Sequence, residues 1–171
     1  MSRDDEKPLE WIGSSHKNLI ALPLAVRRLF GYALSLAQSG DQHDAAKVPK
    51  RGQRSYAMKT RIVDGIEVQR SSGNVYADLD LPDAEKLKIK TGLVIEIRHA
   101  MRRLGLTQQA AAKRMGITQP KVSDMMRGDF TNLSERKLMD CLNRLGYDIE
   151  IRVKPGARPV GHLKIALARR P

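Results

Sequence analysis

The feature that most narrows what this chain can fold into is the succession of four helical periods within residues 83–147. The first opens at Asp80-Leu81-Pro82-Asp83. Pro82 suits the first turn, and Asp83 and Glu85 suit the positive end of the helix dipole. Leu87, Ile89, Leu93, Val94, Ile97 and Met101 then recur at the three-and-four spacing of one apolar face, to about Leu104, with Gly92 as the point where the element can split. Shorter helices fit Thr107–Met115, Thr118–Arg127 and Ser134–Leu145. Four helices in so short a stretch have to bury their apolar faces on one another, as a compact bundle.

Outside this region the periods change. Pro8 to Ile12 fits a short strand, Ser14 or Ser15 can cap a helix through Leu22, and Pro23 suits the start of another, ending near Ser39-Gly40. In that second helix Val26, Leu29, Phe30, Ala33 and Ala37 mark the expected buried face of a helical hairpin. Residues 41–56 turn polar and aperiodic, which places an exposed linker and a domain boundary there. Ile62 to Gln69 and Asn74 to Ala77 flank Ser71-Ser72-Gly73 and read as a small hairpin or an extended arm. At the carboxyl end Ile149, Ile151 and Val153 alternate with Asp148, Glu150 and Arg152, and Leu163, Ile165 and Leu167 alternate likewise, predicting a β-hairpin. The fold class expected is therefore mainly α: a helical bundle with a C-terminal β-hairpin, preceded by a short strand plus helical hairpin.

Lys and Arg number 31 against 19 Asp and Glu, a net charge of +12 that favours a polyanionic partner. The excess is spread along the chain, although residues 155–171 hold four basic side chains and no acid. Aromatic residues make up only 4%, too few for a surface built on stacked single-stranded bases, so duplex DNA is the better partner. Cys141 is the single cysteine, which excludes an intramolecular disulfide and a Cys-rich zinc site. It falls beside Leu138, Leu142 and Leu145 and reads as core packing. His16, His43, His99 and His162 have no spacing suited to a shared metal, and no phosphate-binding Gly-rich loop or nucleophile elbow occurs, so neither metal nor cofactor is expected. The most apolar stretch, Leu19 to Ala37, carries Arg27-Arg28 at its centre, where a bilayer would penalise both charges. The acidic opening Met-Ser-Arg-Asp-Asp-Glu-Lys is unlike a signal peptide, so the expected location is the cytoplasm, without membrane contact.

The segment Leu106 to Gly128 resembles the helix-turn-helix of the phage-repressor and Cro class. The resemblance places small Ala112 where two helices cross, Gly116 at the sharp turn, Ile117 buried beside it, and Val122 and Met125 packing the second helix back. Thr107 and Thr118 stand as helix caps, with Pro120 in the first turn, where its missing NH is harmless. Gln119, Lys121 and Asp124 then project toward base edges: Gln can pair bidentately with adenine, Lys with guanine, and Asp can accept from the cytosine amino group. Thr118, Ser123 and Arg127 lie nearer the DNA backbone, and Gln108 is a phosphate contact at the start of the preceding helix. A competing reading pairs Asp124 with Lys121 or Arg127 on a solvated face.

A wider resemblance covers Met58 to Ala168, through Gly73-Asn74-Val75-Tyr76-Ala77-Asp78-Leu79, Leu81-Pro82-Asp83-Ala84-Glu85 and Asp148 to Lys154. These residues look like the HigA-like antitoxins of the XRE family, which implies a dimeric autoregulator that neutralises a ribonuclease toxin. Lys7 to Leu19 and Arg27 to Leu34 resemble instead the opening of RelE/HigB-like (phage Gp49-like) toxins, a likeness that stops near Lys50. The expected organisation is a truncated toxin-like segment (1–50), a linker (51–57), an antitoxin arm (58–82), a DNA-binding helix-turn-helix domain (83–147), and a C-terminal hairpin and tail (148–171). The expected partners are duplex operator DNA, a second copy of the chain and a RelE/HigB-like toxin. No catalytic residue is assigned: Lys50, Arg51, Arg54 and Tyr56 could imitate an RNA-cleaving cluster, but the toxin strands that would hold them are missing. Residual messenger-RNA cleavage and toxin binding without DNA binding stand as the alternatives.

Overall fold

The computed structural model describes residues 7–41, 61–155, 163 and 165. The element order is β1 (Glu10–Ile12), α1 (Ser15–Ile20), α2 (Leu24–Gln38), β2 (Arg61–Val63), β3 (Ile66–Arg70), α3 (Val75–Asp78), α4 (Ala84–Arg103), α5 (Gln108–Met115), α6 (Gln119–Arg127) and α7 (Glu135–Arg144). Two compact units, residues 1–88 and 89–171, divide the chain inside α4.

In the first unit β3 is the central strand of a three-stranded antiparallel sheet, ordered β1-β3-β2. Glu10 pairs with Arg70, Trp11 with Gln69 and Ile12 with Val68, so opposite charges face one another at one end of the β1–β3 ladder. The β2–β3 hairpin turns at Asp64-Gly65, both in the left-handed region (φ 51° and 78°), as a two-residue loop of right-handed twist demands. The arm's hairpin is thus closed at residues 64–65 rather than at Ser71-Ser72-Gly73, and Asn74 instead caps α3, its side chain accepting from the Tyr76 amide at 3.1 Å.

Helix α2 forms where expected, but its buried face differs. Gly31, Tyr32 and Leu36 are buried, while Leu29 and Phe30 remain 45% and 42% exposed. Apolar residues occur on most sides of α2, so periodicity alone did not single out one face. The deciding feature is Gly31: a Cβ there would stand 2.6 Å from the Tyr76 ring, so the bare backbone admits the ring against α2. Tyr32, Leu36, Val75, Tyr76 and Leu79 form the buried cluster of this unit.

Helix α4 runs unbroken through Gly92, and each of its six expected face residues is buried. In the second unit Val94, Ile97, Ala112, Met115, Val122, Met125, Leu138, Leu142 and Leu145 make the core. Cys141 is fully buried among them, and desolvation pushes its thiol above the ordinary cysteine range, which leaves little reactive thiolate at neutral pH. Thr107 and Ser134 cap α5 and α7, accepting from the amides of Ala110 and Lys137, each at 3.2 Å.

The expected C-terminal strand is not formed: Asp148 to Pro155 have no regular structure. Ile149, Ile151 and Val153 lie exposed, as does Leu163. An isolated two-stranded hairpin is barely stable without a surface to cover, and no described residue covers these side chains. The rest of the returning arm lies outside the described residues, as do His43, His162 and the Lys50, Arg51, Arg54 and Tyr56 cluster. No helix among the described residues is long and apolar enough to cross a membrane, and no three described His, Cys, Asp or Glu side chains gather as metal ligands.

Candidate nucleic-acid interface

The candidate surface is built on α5 and α6. Helix α5 buries Ala111, Ala112 and Met115 and ends at Gly116, which adopts the left-handed conformation (φ 68°, ψ 41°). The Ile117 amide returns to the Ala112 carbonyl at 3.1 Å and closes the turn; Ile117 itself is half-buried rather than buried. A Cβ on Gly116 would also meet the Arg144 guanidinium at 2.8 Å. Gly116→Ala should therefore destabilise the domain by about 1–2 kcal/mol through the left-handed backbone alone. Denaturant melting checks this, and a variant as stable as the parent would contradict it.

Helix α6 buries Val122, Met125 and Met126, which turns Lys121, Ser123, Asp124 and Arg127 away from the core. Lys121 and Arg127 are exposed and Ser123 and Asp124 half-exposed. Thr118 occupies the N-cap position, but its side chain makes no cap hydrogen bond, contrary to expectation. Pro120 lies in the first turn, so one fewer amide needs a partner there, and Thr118 is exposed.

Gln119 Nε2 donates to Gln108 Oε1 at 3.2 Å, linking the first residues of α6 and α5 side chain to side chain. Sequence reasoning placed both residues at the surface without foreseeing that they touch. At the other end of α6, Arg127 donates to Ser123 Oγ at 2.6 Å and pairs with Asp124 Oδ1 at 2.5 Å. Of the two readings of Asp124, the ion pair with Arg127 is the one formed in the free chain. At this degree of exposure such a pair stabilises the helix little.

The candidate residues thus lie at the start of α5, at the start of α6, and on α6 away from its buried Val122, Met125 and Met126, so that the second helix of the two-helix unit has an apolar back and a polar front. That arrangement defines a helix-turn-helix domain. Residues 75–154 match the family model described as a helix-turn-helix domain. A solved chain described as an XRE family transcriptional regulator is 38% identical, with 51% of this chain and 100% of that chain covered and a TM-score of 0.46. No curated protein matches the sequence. The family match agrees with the geometry: the part of the chain that carries α5 and α6 is a helix-turn-helix domain.

Proposed function

We propose that the chain is an antitoxin-type autorepressor that binds operator DNA as a dimer, with α6 in the major groove and a toxin as its second partner. The observation that carries the DNA-binding reading is the polar front of α6, joined at its start to α5 through Gln119 and Gln108. Gln119 and Lys121 read base edges, Gln108 and Arg127 meet phosphates, and Thr118 and Ser123 supply hydroxyls nearer the backbone. Asp124 has two roles open to it: it orients Arg127 in the free chain, and it accepts from a cytosine amino group once Arg127 engages a phosphate. The net charge of +12 supplies the sequence-independent part of the attraction. The antitoxin role rests on the resemblance over residues 58–168, and the cytoplasm is the location that follows from it.

Footprinting on the promoter of the chain's own gene tests the proposal. The expected result is protection of two half-sites whose centres lie about 10 base pairs, or one helical turn, apart. Protection that spreads evenly over the fragment without half-sites would contradict operator recognition by a dimer.

A further inference from the structure

The first unit joins two stretches of different character. Residues 7–41 resemble the start of a toxin, and residues 61–88 belong to the antitoxin-like part, yet the structure closes them into one sheet and one core. β1 adds to the free side of β3, and the ladder continues at both ends: the Gly13 amide donates to the Glu67 carbonyl at 2.7 Å and the Ser71 amide to the Leu9 carbonyl at 3.0 Å.

Side chains of α1, α2 and β1 then converge on α3 and its C-terminal turn. Trp11 Nε1 and Ser71 Oγ both donate to Asp78 Oδ2, at 3.2 and 2.5 Å, and His16 Nε2 donates to the Asp78 carbonyl at 2.6 Å. Arg27 donates to the carbonyls of Leu79 and Asp80, the two residues that follow α3, at 2.9 and 3.1 Å. The fit is reciprocal in shape as well: Gly31 leaves the space that the Tyr76 ring occupies. A glycine in mid-helix costs stability in water, so its presence at this one contact is a packing requirement of α2 against α3.

We propose that β3 and α3 form a docking surface for a strand–helix–helix module, that residues 7–41 fill it in cis, and that a separate polypeptide opening with such a module must displace them to bind. The partner is specified by the contacts: an edge strand carrying a Trp at the position of Trp11, followed by a helix with Arg and Gly four residues apart, as Arg27 and Gly31 are. An intact toxin of the kind that residues 7–34 resemble meets this description, and to that extent the inference rests on the toxin side of the proposed function. Its consequence is regulatory: the chain engages such a toxin only in competition with its own amino-terminal segment.

The test uses the full chain with a protease site introduced between Lys50 and Ala57. Protein labelled with heavy nitrogen and unlabelled protein are each folded, cleaved, mixed, and followed by native mass spectrometry. The two pieces should stay together after cleavage, and hybrid complexes of one labelled and one unlabelled piece should appear, because the surface accepts the module in trans. Gly31→Ala should weaken the association tenfold or more, and Trp11→Phe, which keeps the ring but removes the donor to Asp78, several-fold. If Gly31→Ala fails to fold, Trp11→Phe carries the comparison. Pieces that part and do not rejoin would overturn the proposal, and so would pieces that stay together but never exchange. Operator binding by the cleaved protein, measured alongside, separates the readings: its loss with hybrids intact contradicts the DNA reading alone, and its survival without hybrids contradicts the docking surface alone.

Discussion

Ending the chain at Gly146 should leave monomers whose operator affinity lies at least a hundredfold below that of the full chain. The segment removed carries Ile149, Ile151 and Val153, exposed by 37%, 72% and 93%, alternating with Asp148, Glu150 and Arg152. Such alternation is the pattern of a strand with one apolar side, and an extended segment with unpaired amides and carbonyls offers an edge to a second copy of itself. Dimerisation sets two recognition helices about one DNA turn apart, and linking two half-site contacts gains roughly a factor of 100 to 10,000 over one. Ultracentrifugation and operator titration would check both properties. A chain starting at Met58 would not be a neutral control, because it lacks β1, α1 and α2 and uncovers Val75, Tyr76 and Leu79. Ile151→Lys in the full chain is the better companion, since Ile151 is exposed and the change spoils only the proposed interface. A chain ending at Gly146 that remains dimeric and binds tightly would show that the helices carry the interface alone.

Gln119→Ala should cost about 1–3 kcal/mol of operator binding, roughly 5- to 150-fold, and relax the preference at one base pair. Gln119 is exposed at the start of α6 and its described partner is Gln108, so the fold should survive. Arg127→Ala should act differently. Arg127 makes its described bonds to Ser123 and Asp124 on an exposed face, and its proposed ligand is a phosphate, so its loss should weaken all sequences alike. Titrating both variants against a panel of single-base operator changes separates readout from attraction. Unchanged selection by Gln119→Ala, at parental thermal stability, would remove Gln119 from the base-reading set.

What could be read without coordinates was local. Thr107, Gly116, Thr118 and Ser134 punctuate helices whose apolar spacing is unambiguous, and α5, α6 and α7 begin and end within a residue of where those signals put them. The β2–β3 turn carries an equally local signal, Asp64-Gly65, and this pair, rather than Ser71-Ser72-Gly73, closes the hairpin. The pairing of β1 with β3 was not legible, because it joins residues some sixty apart and nothing in Glu10-Trp-Ile12 names Val68-Gln-Arg70 as its complement. The buried face of α2 was missed for the same reason: it is set by Tyr76, far along the chain, and not by the period of α2 itself. The carboxyl segment shows the opposite case, a clear strand pattern that stays unpaired where no described residue offers a partner surface. In the candidate interface, residue types and their side of the helix were legible; the Gln108–Gln119 bond and the Arg127 cluster depend on side-chain placement and were not.

The central claim, that this helix-turn-helix chain reads a particular duplex sequence, is tested most directly by titrating the purified protein with its own promoter and with a random duplex of equal length over a series of salt concentrations. Both affinities should fall as salt rises, because each neutralised phosphate releases counterions, with a slope of about −0.9 per contact in log affinity against log salt. The promoter should remain bound about a thousandfold or more tightly than the random duplex at physiological salt. Equal affinity for the two duplexes across the whole series would contradict the account.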